Sequence, residues 1–186
     1  MPLLSRVTNF ISALPYLMKN NLRGDGSIDV IKHLVENSIF SILEQSEHKP
    51  NALSSIIAQE LYISRSSGEL DPFSFFQAEE KRSIILDAQG ACERILKTPM
   101  PFVMAVKSRR FIFLFLLALP FALVNMSVLI TPVITGLVAY AIFSLDQIGV
   151  ELQNPFSEER LSHLPLNEIC QTIERNILEI QNMIKR

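Results

Sequence analysis

The sequence has no tryptophan, two cysteines, six glycines and three isolated histidines. Each shortage closes a class of chemistry. Cys92 and Cys170 lie far apart and form no CxxC pair, so they read as reduced thiols on the cytoplasmic side. His33, His48 and His163 show no HxxH or HExxH spacing. His33 and Glu36 stand one turn apart and could offer two ligands, but a solvated helix face is the preferred reading. With so few glycines there is no GxSxG, Walker A or GxGxxG loop to cradle a phosphate or present a nucleophile. No enzymatic activity, cofactor or metal site is expected. The net charge of −2 also argues against nucleic acid as a partner.

One further absence selects the solvent. Residues 111–145 contain no Asp, Glu, Lys, Arg or His. A single membrane-spanning helix needs about 20 apolar residues. This run is too long for one span and suits two short ones. The turn between them falls at Val124-Asn125-Met126-Ser127, where two polar side chains interrupt the run. Lys107, Arg109 and Arg110 precede the first span and the turn carries no charge. By the positive-inside rule the basic end stays cytoplasmic, and the return end at Asp146 does too. Those three residues form a membrane-interface basic cluster, read either as a topology signal or as an attractor of anions and anionic headgroups. The topology signal is favoured. No secretory signal precedes this region, because Met1–Arg6 lacks both a basic n-region and an apolar core. The apolar stretch 3–18 is broken by Arg6, Asn9 and Pro15 and is not a span.

What surrounds the hairpin is patterned as helix. Segment 3–22 carries Pro15 as a kink or boundary and closes at Arg23-Gly24-Asp25-Gly26. A second helix is predicted over 28–46 from Ile28, Ile31, Leu34, Val35, Ile39, Ile42 and Leu43. A third is predicted over 52–65, capped by Asn51. Asp71-Pro72 opens a long fourth helix to about 97, which Thr98-Pro99-Met100-Pro101 ends. The second span covers about 128–145 and continues from Asp146 to Gln153, stopping at Asn154-Pro155-Phe156; Asp146 and Glu151 either face a water-filled passage or mark where the helix leaves lipid. In the final helix, 165–184, Leu166, Cys170, Ile173, Ile177, Ile180 and Ile184 form a short seam. That seam packs on the chain's own helices or, less favoured, on another subunit. The fold class is thus an all-α membrane protein, a cytoplasmic helical bundle plus a two-helix transmembrane hairpin. Its parts are 1–100 cytoplasmic, 101–146 hairpin, and 147–186 a C-terminal cytoplasmic loop and helix.

Several motifs together resemble one family. GACERILKTPMPF at 90–102, Leu-Pro-Phe at 119–121, Thr131-Pro132, FSLDQIGVELQNPF at 143–156 and LPL at 164–166 resemble the bestrophins, especially their bacterial branch. The segments at Lys49-Pro50-Asn51 and Gly68–Phe73 extend the resemblance over nearly the whole chain. It implies a homopentameric ion channel, usually anion-conducting, in a bacterial inner or plasma membrane, multi-pass, with both termini cytoplasmic. The pattern is matched from just after the family's second membrane helix onward. The resemblance therefore implies an N-terminally truncated subunit without the first two spans and the pore neck, its hairpin corresponding to the third and fourth spans. The alternative is a non-conducting, membrane-anchored helical interaction or modulatory protein, able to associate with full-length bestrophin-like subunits. The family also places a bulky apolar residue after the Gly-x-Leu turn as a cytoplasmic pore constriction. Here that residue is Phe73, with core packing of Phe73 and Phe76 as the competing reading. Animal members bind calcium through acids after Asn-Pro-Phe. Residues 157–163 offer Glu158 and Glu159 beside Arg160, so no calcium clasp is expected.

Overall fold

The computed structural model describes residues 3–98, 102–124, 129–159 and 163–184. Every regular element among them is helical. The chain divides into two compact units, Met1–Arg94 with Leu164–Arg186, and Ile95–His163.

The first unit is built around α1, Leu3–Arg23, which packs against α3, Lys49–Ser66, and α7, Leu166–Ile184. Phe10, Ala13, Leu14 and Leu17 recur at helical spacing on α1 and are fully or nearly fully buried. Leu53, Ile57 and Leu61 of α3 and Cys170 of α7 complete the same core. Pro15 lies inside α1 without ending it. A proline there removes one backbone bond, a cost of about 3 kcal/mol, and the helix persists because its neighbours enclose it. After α1 the chain reverses at Gly24, whose φ of +71° suits a residue without Cβ.

Two local expectations are corrected. The segment 28–46 is not one helix. A 3-10 turn at Asp29–Ile31 is followed by a break, and α2 spans Asn37–Gln45. Glu36 is extended, with φ −70° and ψ 151°, and its carboxylate pairs with Arg6 of α1. The broken path still buries Ile28, Ile31, Leu34, Val35, Ile39 and Leu43, while Ile42 stays exposed. Burial periodicity was thus satisfied by two short elements instead of one. Nor does Asn51 cap α3. His48 does, its Nδ1 accepting from the Asn51 N–H at 3.3 Å, with Pro50 in the first turn, where its missing N–H costs nothing.

The seam on α7 is also shifted. Leu166, Cys170, Ile173 and Ile177 face inward as spaced, but Gln181 is buried while Ile180 and Ile184 are exposed. Past Ile177 the inward position thus falls four residues on, at Gln181, instead of three on, at Ile180. Gln181 donates its side-chain N–H to Ser5 Oγ at 3.1 Å, which makes the burial of that amide tolerable.

The second unit is two helices. α5, Phe102–Ala122, and α6, Ile130–Glu151, pack on each other. Arg109 near the start of α5 meets Asp146 near the end of α6, and Thr131 at the start of α6 donates to the Leu123 carbonyl. Those two ties fix an antiparallel pair. Pro120 sits inside α5, and Pro132 lies in the first turn of α6. α6 is long and apolar enough to cross a membrane, yet none of its residues is buried. Its continuation past the apolar run, expected from Asp146 to Gln153, runs through Asp146 to Glu151. The turn expected at Val124–Ser127 falls largely outside the described residues, as do Pro99–Pro101 and 160–162.

Candidate functional site

The start of α4, Pro72–Lys97, is the most strongly specified local structure in the chain. Gly68, at φ +80°, reverses the chain, and the Leu70 N–H returns to the Ser64 carbonyl at 3.1 Å. Asp71 Oδ1 then accepts from the N–H groups of Phe73 and Ser74, both at 3.0 Å. Hydrogen bonds from Ser74 and Phe73 hold the Asp71 carboxyl below its ordinary range, outweighing desolvation. The cap therefore stays ionised near neutral pH and fixes the first turn.

That turn sorts three phenylalanines. Phe75 packs against the core and lies under the Arg65 guanidinium, 5.1 Å from the ring centroid. Phe73 and Phe76 point away, with relative exposures of 70% and 67%. Core packing of these two rings is thus excluded within the chain. Ile84 lies about three turns beyond Phe73 on the same face and is also exposed.

The other face of α4 is tied down by polar contacts. Arg82 makes a forked pair with Glu79 and donates to Ser54 Oγ at 3.0 Å. Glu93 Oε1 receives Asn21 Nδ2 at 2.9 Å, His48 Nε2 at 2.8 Å and Gln89 Nε2 at 2.8 Å. One carboxylate oxygen thus joins α1, the cap of α3 and α4. Glu174 of α7 forms a second junction, accepting the Tyr16 hydroxyl at 2.6 Å and facing His33 Nε2 at 2.9 Å. Burial opposes ionisation of Glu174, but the Tyr16 and His33 contacts win and lower its pKa. Burial and the same carboxylate raise the Tyr16 phenol well above its ordinary value. Burial likewise raises the Cys170 thiol, which keeps it unreactive.

Sequence reasoning missed both junctions. Apart from Gln89, one turn before Glu93 on α4, their partners lie 45 to 158 positions away in the chain, so no local spacing announces the junctions. His33 is paired with Glu174 and not with Glu36, which turns to Arg6. Among the described residues no group of three or more His, Cys, Asp or Glu is placed to hold a metal ion.

In the second unit the basic cluster splits. Arg109 Nε lies 3.2 Å from Asp146 Oδ2. Lys107 and Arg110 are exposed and have no ion-pair partner among the described residues. Asp146 is therefore an ion-pair partner inside a continuing helix, and Gln147 donates to Glu151 one turn on. After α6, the Asn154 side chain accepts the Phe156 N–H at 3.2 Å, and Phe156 is buried. An Asx turn of this kind gives the Asn-Pro-Phe motif a structural task.

Comparison with known proteins adds three findings. The model of the family described as "Bacterial/Fungal Bestrophin protein" matches residues 3–179. A voltage-dependent anion channel-forming protein of Synechocystis sp. is 29% identical over 94% of this chain and 57% of its own length. A protein of the same name from Escherichia coli O157:H7 is 31% identical over 91% of this chain and 56% of its own. The chain therefore spans little more than half the length of these relatives. Among solved structures, a bacterial bestrophin homologue from Klebsiella pneumoniae superposes with a TM-score of 0.89 at 28% identity, covering 97% of this chain and 66% of that one.

Proposed function

The chain belongs to the bacterial/fungal bestrophin family, and on that premise we propose that it acts as a subunit of an anion-conducting membrane channel. Relatives named as voltage-dependent anion channel-forming proteins match it over more than nine-tenths of its length. The observation that carries the reading is the exposure of Phe73 on a rigidly capped helix start. A large apolar ring held in water by its own backbone is stable when copies of it converge. Five such rings around an axis make a hydrophobic aperture, and apertures of this kind gate by dewetting. In this reading α5 and α6 form a hairpin spanning the bilayer, and residues 1–100 and 147–186 lie in the cytoplasm with both termini. Lys107, Arg109 and Arg110 mark the cytoplasmic boundary. The assembly is a homopentamer, and full-length bestrophin-like subunits are candidate co-assembly partners.

Reconstitution tests the reading. Purified protein in liposomes carrying a halide-sensitive dye should pass chloride, and Phe73→Ala should raise the flux by widening the aperture. Correctly oligomeric protein that passes no ions would leave a membrane-anchored interaction protein as the better account.

A further inference from the structure

Most N-cap side chains keep their acceptor near neutral pH, because Ser, Thr and Asn do not titrate there and Asp is already ionised. A histidine cap is different, since one added proton turns its acceptor nitrogen into a donor. α3 begins on such a cap. His48 Nδ1 accepts the Asn51 N–H at 3.3 Å, and a backbone N–H can only donate, so Nδ1 carries no proton. His48 Nε2 lies 2.8 Å from Glu93 Oε1, which also takes donors from Asn21 and Gln89, so the ring proton sits on Nε2. Both nitrogens of a neutral imidazole are thus committed, in opposite senses. Pro50 has no N–H to offer, and the Ala52 N–H already reaches the His48 carbonyl at 3.1 Å, so Asn51 is the donor that the cap serves.

We propose that His48 is an acid-sensitive switch at the start of α3: neutral, it caps α3 and ties it to α4; protonated, it releases the Asn51 N–H and keeps only Glu93. Protonation sets an Nδ1–H against the Asn51 N–H, two donors with no acceptor between them, and places a cation at the positive end of a helix. The contact of Nε2 with Glu93 meanwhile becomes an ion pair. Charged groups on the segments that meet at the ring are Glu93 from α4, Glu47 and Lys49 beside it in the chain, and Asp25 after α1. Asp25, Glu47 and Lys49 line one cavity together with Asn21. Three carboxylates against one ammonium give the imidazolium counter-charge, so each protonation state has partners of its own. His33 supplies the contrast. Its Nε2 also faces a carboxylate, Glu174 at 2.9 Å, but its Nδ1 accepts nothing among the described residues. Protonating His33 therefore adds an ion pair and breaks no bond. The proposal does not depend on conduction.

Amide exchange and the ring nitrogen shifts of the full chain in detergent test this between about pH 8 and about pH 5, the range in which histidine titrates. At the alkaline end Nδ1 should show the shift of an unprotonated nitrogen, and the Asn51 amide should be protected. At the acid end protection of Asn51, corrected for the intrinsic pH dependence of exchange, should fall about five-fold, the worth of a typical cap. That fall should share its midpoint with the ring. Ile57, in the middle of α3, should not change. His48→Asn supplies an acceptor that never protonates, so Asn51 should stay protected at both ends. His33→Asn should leave the response of Asn51 as in the parent chain. A proton on Nδ1 at the alkaline end, a ring that does not titrate in this range, or Asn51 protection that stays constant while the ring titrates would overturn the proposal. So would an equal loss of protection in His48→Asn, which would mark a general loosening in acid. The ring and the Asn51 amide of the parent chain decide the question even if that variant does not fold.

Discussion

The two units use the same apolar residues in opposite senses. In the first, Phe10, Leu17, Leu43 and Leu53 are shut away from solvent in one shared core. In the second, Phe111, Leu114, Phe121, Leu137 and Tyr140 point outward, and α6 buries nothing. Water drives the first arrangement by expelling apolar surface. Lipid removes that drive, so α5 and α6 must hold together by close contact and a few polar ties. The contrast teaches which solvent each stretch was selected for, independently of any named function.

The largest expected effect attacks that contrast directly. Leu53→Ala removes a side chain with no exposure, and such cavities cost about 2–5 kcal/mol. Leu137→Ala removes one that is 65% exposed on α6 and should cost under about 0.5 kcal/mol in stability. Thermal unfolding in detergent reads both. Equal losses would mean that α6 is an internal helix after all.

Charge insertion sharpens the same comparison. Leu137→Arg places a charge near the middle of α6 and should cost about 2.5–3.5 kcal/mol of membrane insertion. Tyr62→Arg, at a position equally exposed on α3, should be neutral within about 0.5 kcal/mol. The measurement is the fraction of each variant resisting alkaline extraction from membranes. If Leu137→Arg inserts as well as the parent chain, α6 does not sit in hydrocarbon.

A pH scan probes the first unit through its ionisable groups. The Tyr16 phenol has a raised pKa in the folded state. Its contribution is fully present below the unfolded value of about 10 and is lost as pH climbs above it. Glu174 has a lowered pKa, so its share is present above about 4.3 and fades as pH falls through the folded value. Tyr16→Phe should therefore lose about 1.5 kcal/mol near neutrality, the worth of a hydrogen bond to a charged group. It should also flatten the alkaline limb of the unfolding profile. An unchanged limb would show that the Tyr16–Glu174 contact is not made in solution.

Much of the architecture was legible because burial leaves a periodic trace. The Asp71-Pro72 helix start needed only cap chemistry, and the uncharged run needed only its length. What escaped the sequence was of two kinds. At 28–46 the right residues were buried by the wrong element, because periodicity records which side chains go inside and not whether the backbone breaks between them. Glu93 and Glu174 looked like ordinary surface carboxylates, since all their partners but Gln89 come from distant parts of the chain. The outward placement of Phe73 beside the inward Phe75 was left open as well. The two rings are two residues apart, about 200° of helix rotation, so they take opposite faces, and the local sequence does not say which face is inward.

The smallest expected effect concerns the boundary between the two solvents. Arg109 and Asp146 lie 3.2 Å apart with side chains 58% and 28% exposed in the chain alone. Were water to bathe this pair, a double-mutant cycle with Arg109→Gln and Asp146→Asn would give a coupling of about 0.2–1 kcal/mol. A pair sunk in hydrocarbon would behave differently, since removing one partner strands the other and costs about 3–5 kcal/mol. The adjacent Lys107 and Arg110, exposed and unpaired among the described residues, argue for a polar setting at this level. The expected coupling is therefore about 1 kcal/mol, falling as salt is raised. A salt-insensitive value near 3 kcal/mol would move the apolar boundary past Arg109 and towards the start of α5. Both cationic neighbours, Lys107 and Arg110, would then need counter-charges inside the membrane.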